Sequence, residues 1–158
     1  MDKEPITING LQKIKEELIF LKEKKRPEIV ASISEARSHG DLKENAEYHA
    51  AKEQQGLTEA RIREIESKLT NSQVIDVTAI PPSGKAIFGV TLDLYDLGKD
   101  EEVTFKIVGE DEANVNEGKI SFSSPLARAL IGKGEGDIAK FESPAGPQEY
   151  EIVAIKHI

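Results

Sequence analysis

The sequence places three carboxylates within seven residues, at Asp41, Glu44 and Glu47, directly after Gly40. Carboxylate oxygens are the ligands that hard cations such as Mg²⁺ prefer, and residues three apart at a helix start share one face. Two carboxylates make an incomplete site, because Mg²⁺ keeps several waters and is usually shared with phosphates or a second protein. Asp41 and Glu44 are therefore predicted to contribute ligands to a metal ion that a partner also holds.

The same two residues also have a purely structural explanation. Asp41 is a preferred N-cap residue, and Glu44 would occupy the third helical position, where a capping box has its acidic side chain. Both carboxylates are also favoured at that end of a helix by the helix dipole. The spacing alone favours helix capping, so the metal-ligand hypothesis depends on where these residues stand in the fold.

The residues before Gly40 have the periodicity of one long helix with a single interruption. The apolar stripe advances 11 residues between Leu18 and Ile29, which is a stutter. Pro27 lies inside the stutter and should kink the helix or start a new helical segment, because it has no N–H to donate. The apolar positions on either side are Leu11, Ile14, Leu18, Leu21, Ile29, Ile33 and Ala36.

A second helix is predicted to begin at Asp41 and to run to about Leu69. Gly40 ends the first helix, so the two helices form an antiparallel hairpin with a tight turn. From Leu11 to Ser38 the first helix would reach roughly 40 Å, which is longer than a domain of this size is wide. The hairpin must therefore project, with the carboxylates at its tip. The apolar members of the second helix are Leu42, Ala46, Ala50, Leu57, Ile62, Ile65 and Leu69.

The residues after Gln73 have a different pattern, with short β-rich pieces separated by Pro, Gly and Ser. Residues 124–132 (SPLARALIG) predict a short helix, with Ser124 as N-cap, Pro125 at the first position and Gly132 just past the end. The fold class is therefore α+β, with a helical hairpin (a coiled coil) over residues 1–77 and a small globular domain over 78–158. The predicted strands are 74–77, 86–95, 103–108, 119–122 and 149–155.

The formal net charge of −8 excludes a protein that binds nucleic acid by bulk electrostatics. Residues 80–158 carry 8 basic and 14 acidic side chains, a net charge of −6, which leaves −2 for residues 1–79. The chain has no cysteine, which excludes disulfides, thiolate nucleophiles and Cys-ligated metal sites. It also has no signal peptide and no run of the roughly 20 apolar residues that a membrane span needs, so we expect a soluble cytoplasmic protein.

Residues 35–56 (EARSHGDLKENAEYHAAKEQQG) closely resemble the hairpin tip of the bacterial Gre transcript-cleavage factors, which are transcription elongation factors. Residues 26–29 (RPEI), 74–77 (VIDV) and 124–133 (SPLARALIGK) are similar to the same family, and the resemblance extends in order over essentially the whole chain. It implies a hairpin that enters the secondary channel of RNA polymerase. It also implies that the second domain is FKBP-like, with an antiparallel sheet, and docks on the rim of that channel.

The resemblance further implies that the protein binds backtracked or arrested polymerase and stimulates the polymerase's own cleavage of the nascent RNA 3′ end. Asp41 and Glu44 match tip residues that help to hold a second, weakly bound Mg²⁺ and the attacking water of a two-metal phosphoryl transfer. The expected cofactor is therefore the Mg²⁺ of the polymerase active site, with none bound stably by this chain, which is not itself an enzyme. The expected partners are the RNA polymerase core and the RNA 3′ end within it, with no membrane, for a monomeric protein.

Five residues near the tip are candidate RNA contacts. Arg37, Lys43 and Lys52 would form the small basic patch that the resemblance implies, although such residues also serve simply to solubilise a helix. Asn45 and Tyr48 lie close to the tip, where they could hydrogen-bond or stack on the RNA end, or equally stabilise the turn.

Contacts of the second domain with the polymerase are predicted at Ile120, Ser121, Ser124 and Pro125. Ser124 and Pro125 also have the capping explanation given above. Ile120 lies on an alternating strand, where such a residue is more often part of the core.

The histidines near the tip, His39 and His49, are not expected to be general bases or metal ligands. A hard-cation site for phosphoryl transfer prefers oxygen ligands. His49 also falls near the apolar stripe, where a hydrogen-bonded packing role is commoner.

Two other functions remain open from the sequence. The main alternative is a secondary-channel inhibitor of RNA polymerase with the same architecture, although an inhibitor would not need the pair Asp41 and Glu44. The other is a free-standing Mg²⁺ nuclease. The tip has too few ligands to hold one metal firmly, and a hairpin has no pocket to exclude water, which argues against a nuclease.

Overall fold

The computed structural model describes residues 3–158, which divide into two units. The first unit comprises residues 12–72, and the second comprises residues 3–11 together with 73–158. The predicted boundary between residues 77 and 78 thus lies inside the second unit, and the beginning of the described chain joins that unit as well.

The first arm of the hairpin has three helical segments. Helix α1, Ile8–Phe20, continues into a π-helical turn, Leu21–Lys25, and then into α2, Arg26–Arg37. The Arg26 amide donates to the Leu21 carbonyl, one residue farther back than in an α-helix. Pro27 lies in the first turn of α2, which confirms the prediction that it starts a new helical segment. The wider π-helical turn lets the apolar stripe continue across the stutter, with all seven predicted positions buried or half-buried.

The second arm is α3, Ala46–Asn71. The predicted start at Asp41 is wrong, because the N-cap is Asn45, whose side chain accepts a hydrogen bond from the Tyr48 amide at 3.1 Å. Asp and Asn are both favoured N-caps, so the sequence offers two starts four residues apart. Glu44 consequently lies before the helix instead of in its first turn.

The buried face of α3 agrees with the predicted one at Ile62, Ile65 and Leu69 and differs from it nearer the tip. Leu57 is 60% exposed, and Ala46 and Ala50 also face solvent, so these three are not interface positions. Leu57 lies one residue, or about 100° around the helix, from the stripe that does face the first arm. That stripe follows alternating steps of three and four residues at Tyr48, Ala51, Gln55, Thr58, Ile62 and Ile65.

Two bidentate ion pairs join the arms of the hairpin. Arg26 donates from Nε and Nη2 to Glu59 at 2.9 and 2.7 Å, and Arg61 donates in the same way to Glu17 at 2.6 and 2.9 Å. The hydrogen bond from Arg26 lowers the pKa of the Glu59 carboxyl below its ordinary value. The fork geometry of both pairs favours one register of the arms over its neighbours.

Two short strands, one before α1 and one after α3 along the chain, pair with each other in a separate two-stranded sheet. They are β1, Glu4–Thr7, and β2, Ser72–Ile75. Short 3₁₀ turns follow at Val77–Ala79 and Val115–Glu117. The main sheet contains β3 (Thr91–Asp96), β4 (Glu101–Val108), β5 (Lys119–Ser121), β6 (Ile138–Ser143) and β7 (Gly146–Lys156).

The strand order of the main sheet is β5-β4-β3-β7-β6. β3 pairs antiparallel with β4 and β7, and β7 pairs antiparallel with β6. β4 and β5 are parallel, so the expectation of an antiparallel sheet is met by three of the four pairs and the sheet is mixed. Strands β1 and β6 were not predicted.

The core of the second unit lies between the main sheet and α4, Pro125–Leu130. This helix confirms its prediction, because Ser124 Oγ accepts from the Ala127 amide at 3.2 Å and Gly132 follows the helix with a φ of 91°. The largest fully buried side chains of this core are Leu92, Leu94, Ile107, Leu130 and Ile152. Across residues 3–158, no helix combines the length and the apolar character needed to cross a membrane.

Candidate functional site

The tip of the hairpin is the loop between α2 and α3, residues 38–45. The amides of His39 and Gly40 donate to the carbonyls of Ala36 and Arg37 at 3.2 and 3.3 Å, which tightens the last turn of α2. Gly40 then takes a φ of 106°, a conformation that glycine adopts without strain. The chain thereby leaves the helix and enters the loop.

Asn45 connects the two ends of this loop. Its Nδ2 donates to the Ala36 carbonyl oxygen at 2.6 Å, and its Oδ1 accepts from the Tyr48 amide at 3.1 Å. One side chain thus satisfies a carbonyl at the end of α2 and an N–H at the start of α3. The role of Asn45 in the turn is therefore structural, and its predicted RNA contact stays a prediction.

Asp41 and Glu44 stand in the loop and do not share a helix face. Asp41 Oδ1 accepts from the Lys43 amide at 3.0 Å, which forms a local Asx turn. In the described chain, Oδ2 of Asp41 and both carboxylate oxygens of Glu44 have no hydrogen-bond or ion-pair partner. Three oxygens are therefore free to bind a hard cation.

The two carboxylates line one open depression of about 450 Å³ at the tip. His39 Nε2 lies 3.9 Å from Glu47 Oε2 on its wall. Among residues 3–158, no three or more His, Cys, Asp or Glu side chains are arranged to hold a metal ion by themselves. Two hard oxygen donors in an open depression fit a Mg²⁺ that is held mainly by another molecule. The depression is lined by His39, Asp41, Glu44, Asn45, Ala46 and Glu47.

His49, on the first turn of α3, contacts the backbone of the tip loop. Its Nε2 lies 2.9 Å from the Lys43 carbonyl oxygen. A carbonyl oxygen only accepts, so Nε2 must carry the proton. The His49 ring also meets the Tyr48 ring edge-to-face, with 5.6 Å between centroids. Its hydrogen-bonded role is confirmed, but the side chain is exposed, so the expectation of a packed position was wrong.

A second depression of about 360 Å³ lies between α2 and α3, next to the tip. Three predicted RNA contacts, Arg37, Tyr48 and Lys52, line it, whereas Lys43 and Asn45 stay in the tip loop. Lys52 Nζ donates to Gln55 Oε1 at 3.0 Å. Cations beside an aromatic ring and apolar side chains suit a phosphate and a stacked base. The other lining residues are Val30, Ile33, Ser34 and Gln55.

Val30, Ser34 and Gln55 were not predicted as part of this depression. The signal was present in their spacing. Ser34 lies three residues before Arg37, Val30 lies four before Ser34, and Gln55 lies three after Lys52. Such spacings place side chains on one face of a helix.

The predicted docking residues are not all on the surface. Ile120 is 6% exposed and belongs to the core, Ser121 Oγ lies 2.8 Å from Ser123 Oγ, and Ser124 caps α4. Pro125 is exposed. The structural explanations therefore hold for Ile120 and Ser124, while a docking role for the four residues stays a prediction.

Two family models match successive parts of the chain. Residues 4–74 match the family model described as "Transcription elongation factor, N-terminal", and residues 81–157 match "Transcription elongation factor, GreA/GreB, C-term". The chain is 60% identical to the protein named Transcription elongation factor GreA of Pseudomonas aeruginosa, and 58% identical to the one of Thioalkalivibrio sulfidiphilus. Each comparison spans 158 residues and 100% of both chains.

A solved structure also aligns with nearly the whole chain. It is GreA factor homolog 1 (Gfh1) of Thermus thermophilus, which is 29% identical and covers 97% of this chain and 98% of its own, with a TM-score of 0.43.

Proposed function

The chain belongs to the GreA/GreB family of transcription elongation factors, and from this premise we propose that it stimulates RNA cleavage by backtracked or arrested RNA polymerase. The polymerase would cut the nascent RNA near its 3′ end and release a short fragment, so that elongation resumes. One observation carries the proposal. Asp41 and Glu44 lie together at the end of the hairpin and offer three carboxylate oxygens that have no partner in the described chain.

Asp41 and Glu44 would hold a Mg²⁺ that the polymerase active site binds only weakly. When bound, such an ion supplies a more acidic water and stabilises charge on the phosphate during phosphoryl transfer. The two side chains contribute hard oxygen ligands from the end of the hairpin and so raise the occupancy of the ion. The polymerase supplies the other ligands and the closed site, so this chain is a stimulating factor and not a complete enzyme.

The depression between α2 and α3 would receive the extruded RNA. Arg37 and Lys52 supply positive charge for a phosphate, and Tyr48 supplies a ring on which a base can stack. Lys43 and Asn45 would meet the RNA at the tip itself. Because the hairpin half of the chain is near neutral, this local charge would guide the RNA without bulk attraction.

The second unit would dock on the rim of the secondary channel as an FKBP-like domain. Pro125 is the exposed member of the predicted contacts there, and Ser121 and Ser124 are half-buried. The protein would act as a monomer in the cytoplasm, where it meets the polymerase.

The test is RNA cleavage in purified, backtracked polymerase complexes with end-labelled RNA, with and without Mg²⁺. We expect faster cleavage near the 3′ end that requires both the polymerase and Mg²⁺. Cleavage of naked RNA would point to a free-standing nuclease instead. Slower elongation with no cleavage would point to an inhibitor, which the names of the relatives do not favour.

A further inference from the structure

We infer that His49 is a positioning residue for the metal-ligand pair, and that it acts through the backbone of Lys43 and never touches the metal or the RNA. The inference rests on the proposed function, because it concerns how Asp41 and Glu44 are held. It assigns a role to a side chain that lies outside the depression formed by those carboxylates.

The two peptide groups of Lys43 join His49 to both carboxylates. The Lys43 N–H donates to Asp41 Oδ1 at 3.0 Å, and the Lys43 carbonyl accepts from His49 Nε2 at 2.9 Å. That carbonyl belongs to the planar peptide that leads to Glu44. A hydrogen bond that fixes the Lys43 carbonyl therefore also restricts the position of the Glu44 backbone, from which the side chain extends.

The tip loop has few other restraints from α3. Asn45 holds its two ends through Ala36 and Tyr48, while His49 bonds to its middle. The loop residues that carry the carboxylates, Asp41 and Glu44, are exposed. A weakly held cation needs both carboxylates in position at the same time. Each additional conformation that is open to the loop lowers the probability of that arrangement.

The chemistry of the ring excludes a direct role for Nε2. Because Nε2 donates to a carbonyl, it has no lone pair for a metal ion or for a proton from the attacking water. The donor is present on the neutral Nε2–H ring and on the imidazolium alike. While it donates to the Lys43 carbonyl, Nε2 of His49 can therefore serve neither as a metal ligand nor as a general base.

Three substitutions separate the positioning role from general damage. His49→Gln keeps an N–H donor at nearly the distance of Nε2, whereas His49→Asn shortens the side chain by one methylene and brings the donor back from the Lys43 carbonyl. The two variants are both uncharged amides on the same exposed helix turn, so they form a matched pair. His49→Phe keeps a ring beside Tyr48 and removes the donor altogether.

The experiment measures stimulated RNA cleavage in backtracked complexes across a range of Mg²⁺ concentrations. We expect His49→Asn and His49→Phe to raise the Mg²⁺ concentration for half-maximal stimulation by about three- to tenfold, the effect of losing one ordinary hydrogen bond. His49→Gln should stay within about twofold of the wild type. The maximal rate at saturating Mg²⁺ and the affinity for polymerase should be the same in all four proteins.

A merely structural role would lower the rate equally at every Mg²⁺ concentration, and that result would overturn the inference. Equal Mg²⁺ requirements for the matched pair would overturn it too, and would leave the proposed function intact. Failure of the wild type to stimulate any cleavage would overturn both. Amide hydrogen exchange in the free full-length proteins gives an independent readout, because residues 41–45 should exchange faster in His49→Asn than in His49→Gln. Equal exchange would contradict the inference.

Discussion

The Nδ2 atom of Asn45 donates a hydrogen bond to the Ala36 carbonyl oxygen at 2.6 Å, across nine residues of chain. The same side chain caps α3 through the Tyr48 amide. One amide therefore joins the end of one hairpin arm to the start of the other. The loop between these two anchor points carries both proposed metal ligands, so the site depends on a side chain that need not touch the metal.

Asn45→Ala should destabilise the hairpin by about 1–2 kcal/mol, because it removes an N-cap and a partly buried hydrogen bond together. Asn45→Ser is the matched control, since its hydroxyl keeps an N-cap acceptor for the Tyr48 amide and is too short to reach the Ala36 carbonyl. Chemical denaturation of both variants measures the difference. The interpretation fails if Asn45→Ser is as damaging as Asn45→Ala, because the cap would then contribute nothing.

Two helical glycines should respond to alanine in opposite directions. A Cβ at Gly10 would lie 2.8 Å from Glu112 Oε1 and 3.2 Å from Thr7 Oγ1, whereas a Cβ at Gly56 would meet nothing within 4 Å. We expect Gly10→Ala to lower the unfolding free energy by about 1–3 kcal/mol through overpacking. Gly56→Ala should raise it by about 0.5–1 kcal/mol, because glycine is costly inside a helix. Thermal unfolding of the pair tests this, and changes of the same sign would contradict it.

The Arg26–Glu59 pair should make the hairpin sensitive to acid. Arg26 lowers the pKa of Glu59 below its ordinary 4.5, so the pair stabilises the fold fully above that pH. This stabilisation is lost as the pH falls through the lowered pKa. Between pH 7 and pH 3, the melting temperature of the wild type should therefore fall more than that of Glu59→Gln.

Glu53→Gln is the matched control for this acid effect, since Glu53 lies exposed on the same helix and forms no ion pair among the described residues. Its melting temperature should follow that of the wild type at every pH. Parallel curves for the wild type and Glu59→Gln would show that the pair does not contribute.

Much of the helical structure could be predicted because its causes are local. The stutter between Leu18 and Ile29 and the position of Pro27 anticipated a break, and the structure has a π-helical turn there. The cap Ser124 and the stop Gly132 marked α4 correctly. In these places the backbone hydrogen bonds are decided by residues a few positions apart.

The features that were predicted wrongly, or not at all, depend on contacts between residues far apart in the chain. Asp41 and Asn45 are both good N-caps, and the choice fell to Asn45 because its amide also reaches Ala36 on the other arm. β6 was missed because Lys140 and Glu142 face solvent on an edge strand, which leaves little apolar pattern. The site residues could be predicted from the resemblance, whereas the contact between His49 and Lys43 required the geometry of the loop.

The basic depression should contribute a measurable salt dependence. Arg37→Gln and Lys52→Gln should each reduce the slope of log activity against log salt by about one, because each removes one phosphate contact. The activity is derived from the protein concentration that gives half-maximal RNA cleavage, which is measured at several salt concentrations. Lys99→Gln, in the turn between β3 and β4, is the control and should leave the slope unchanged. Equal slopes in all four proteins would contradict an RNA contact.

The most direct test of the account is the cleavage rate of backtracked polymerase complexes with the isosteric variants Asp41→Asn and Glu44→Gln. Each variant keeps the size of the side chain and removes the charge that would bind Mg²⁺, so it should still compete with the wild type for polymerase. We expect stimulated cleavage to fall by about 10²-fold or more, the scale of removing one stabilising group from a transition state. Variants that bind polymerase and stimulate cleavage as well as the wild type would contradict the assignment of Asp41 and Glu44 as metal ligands.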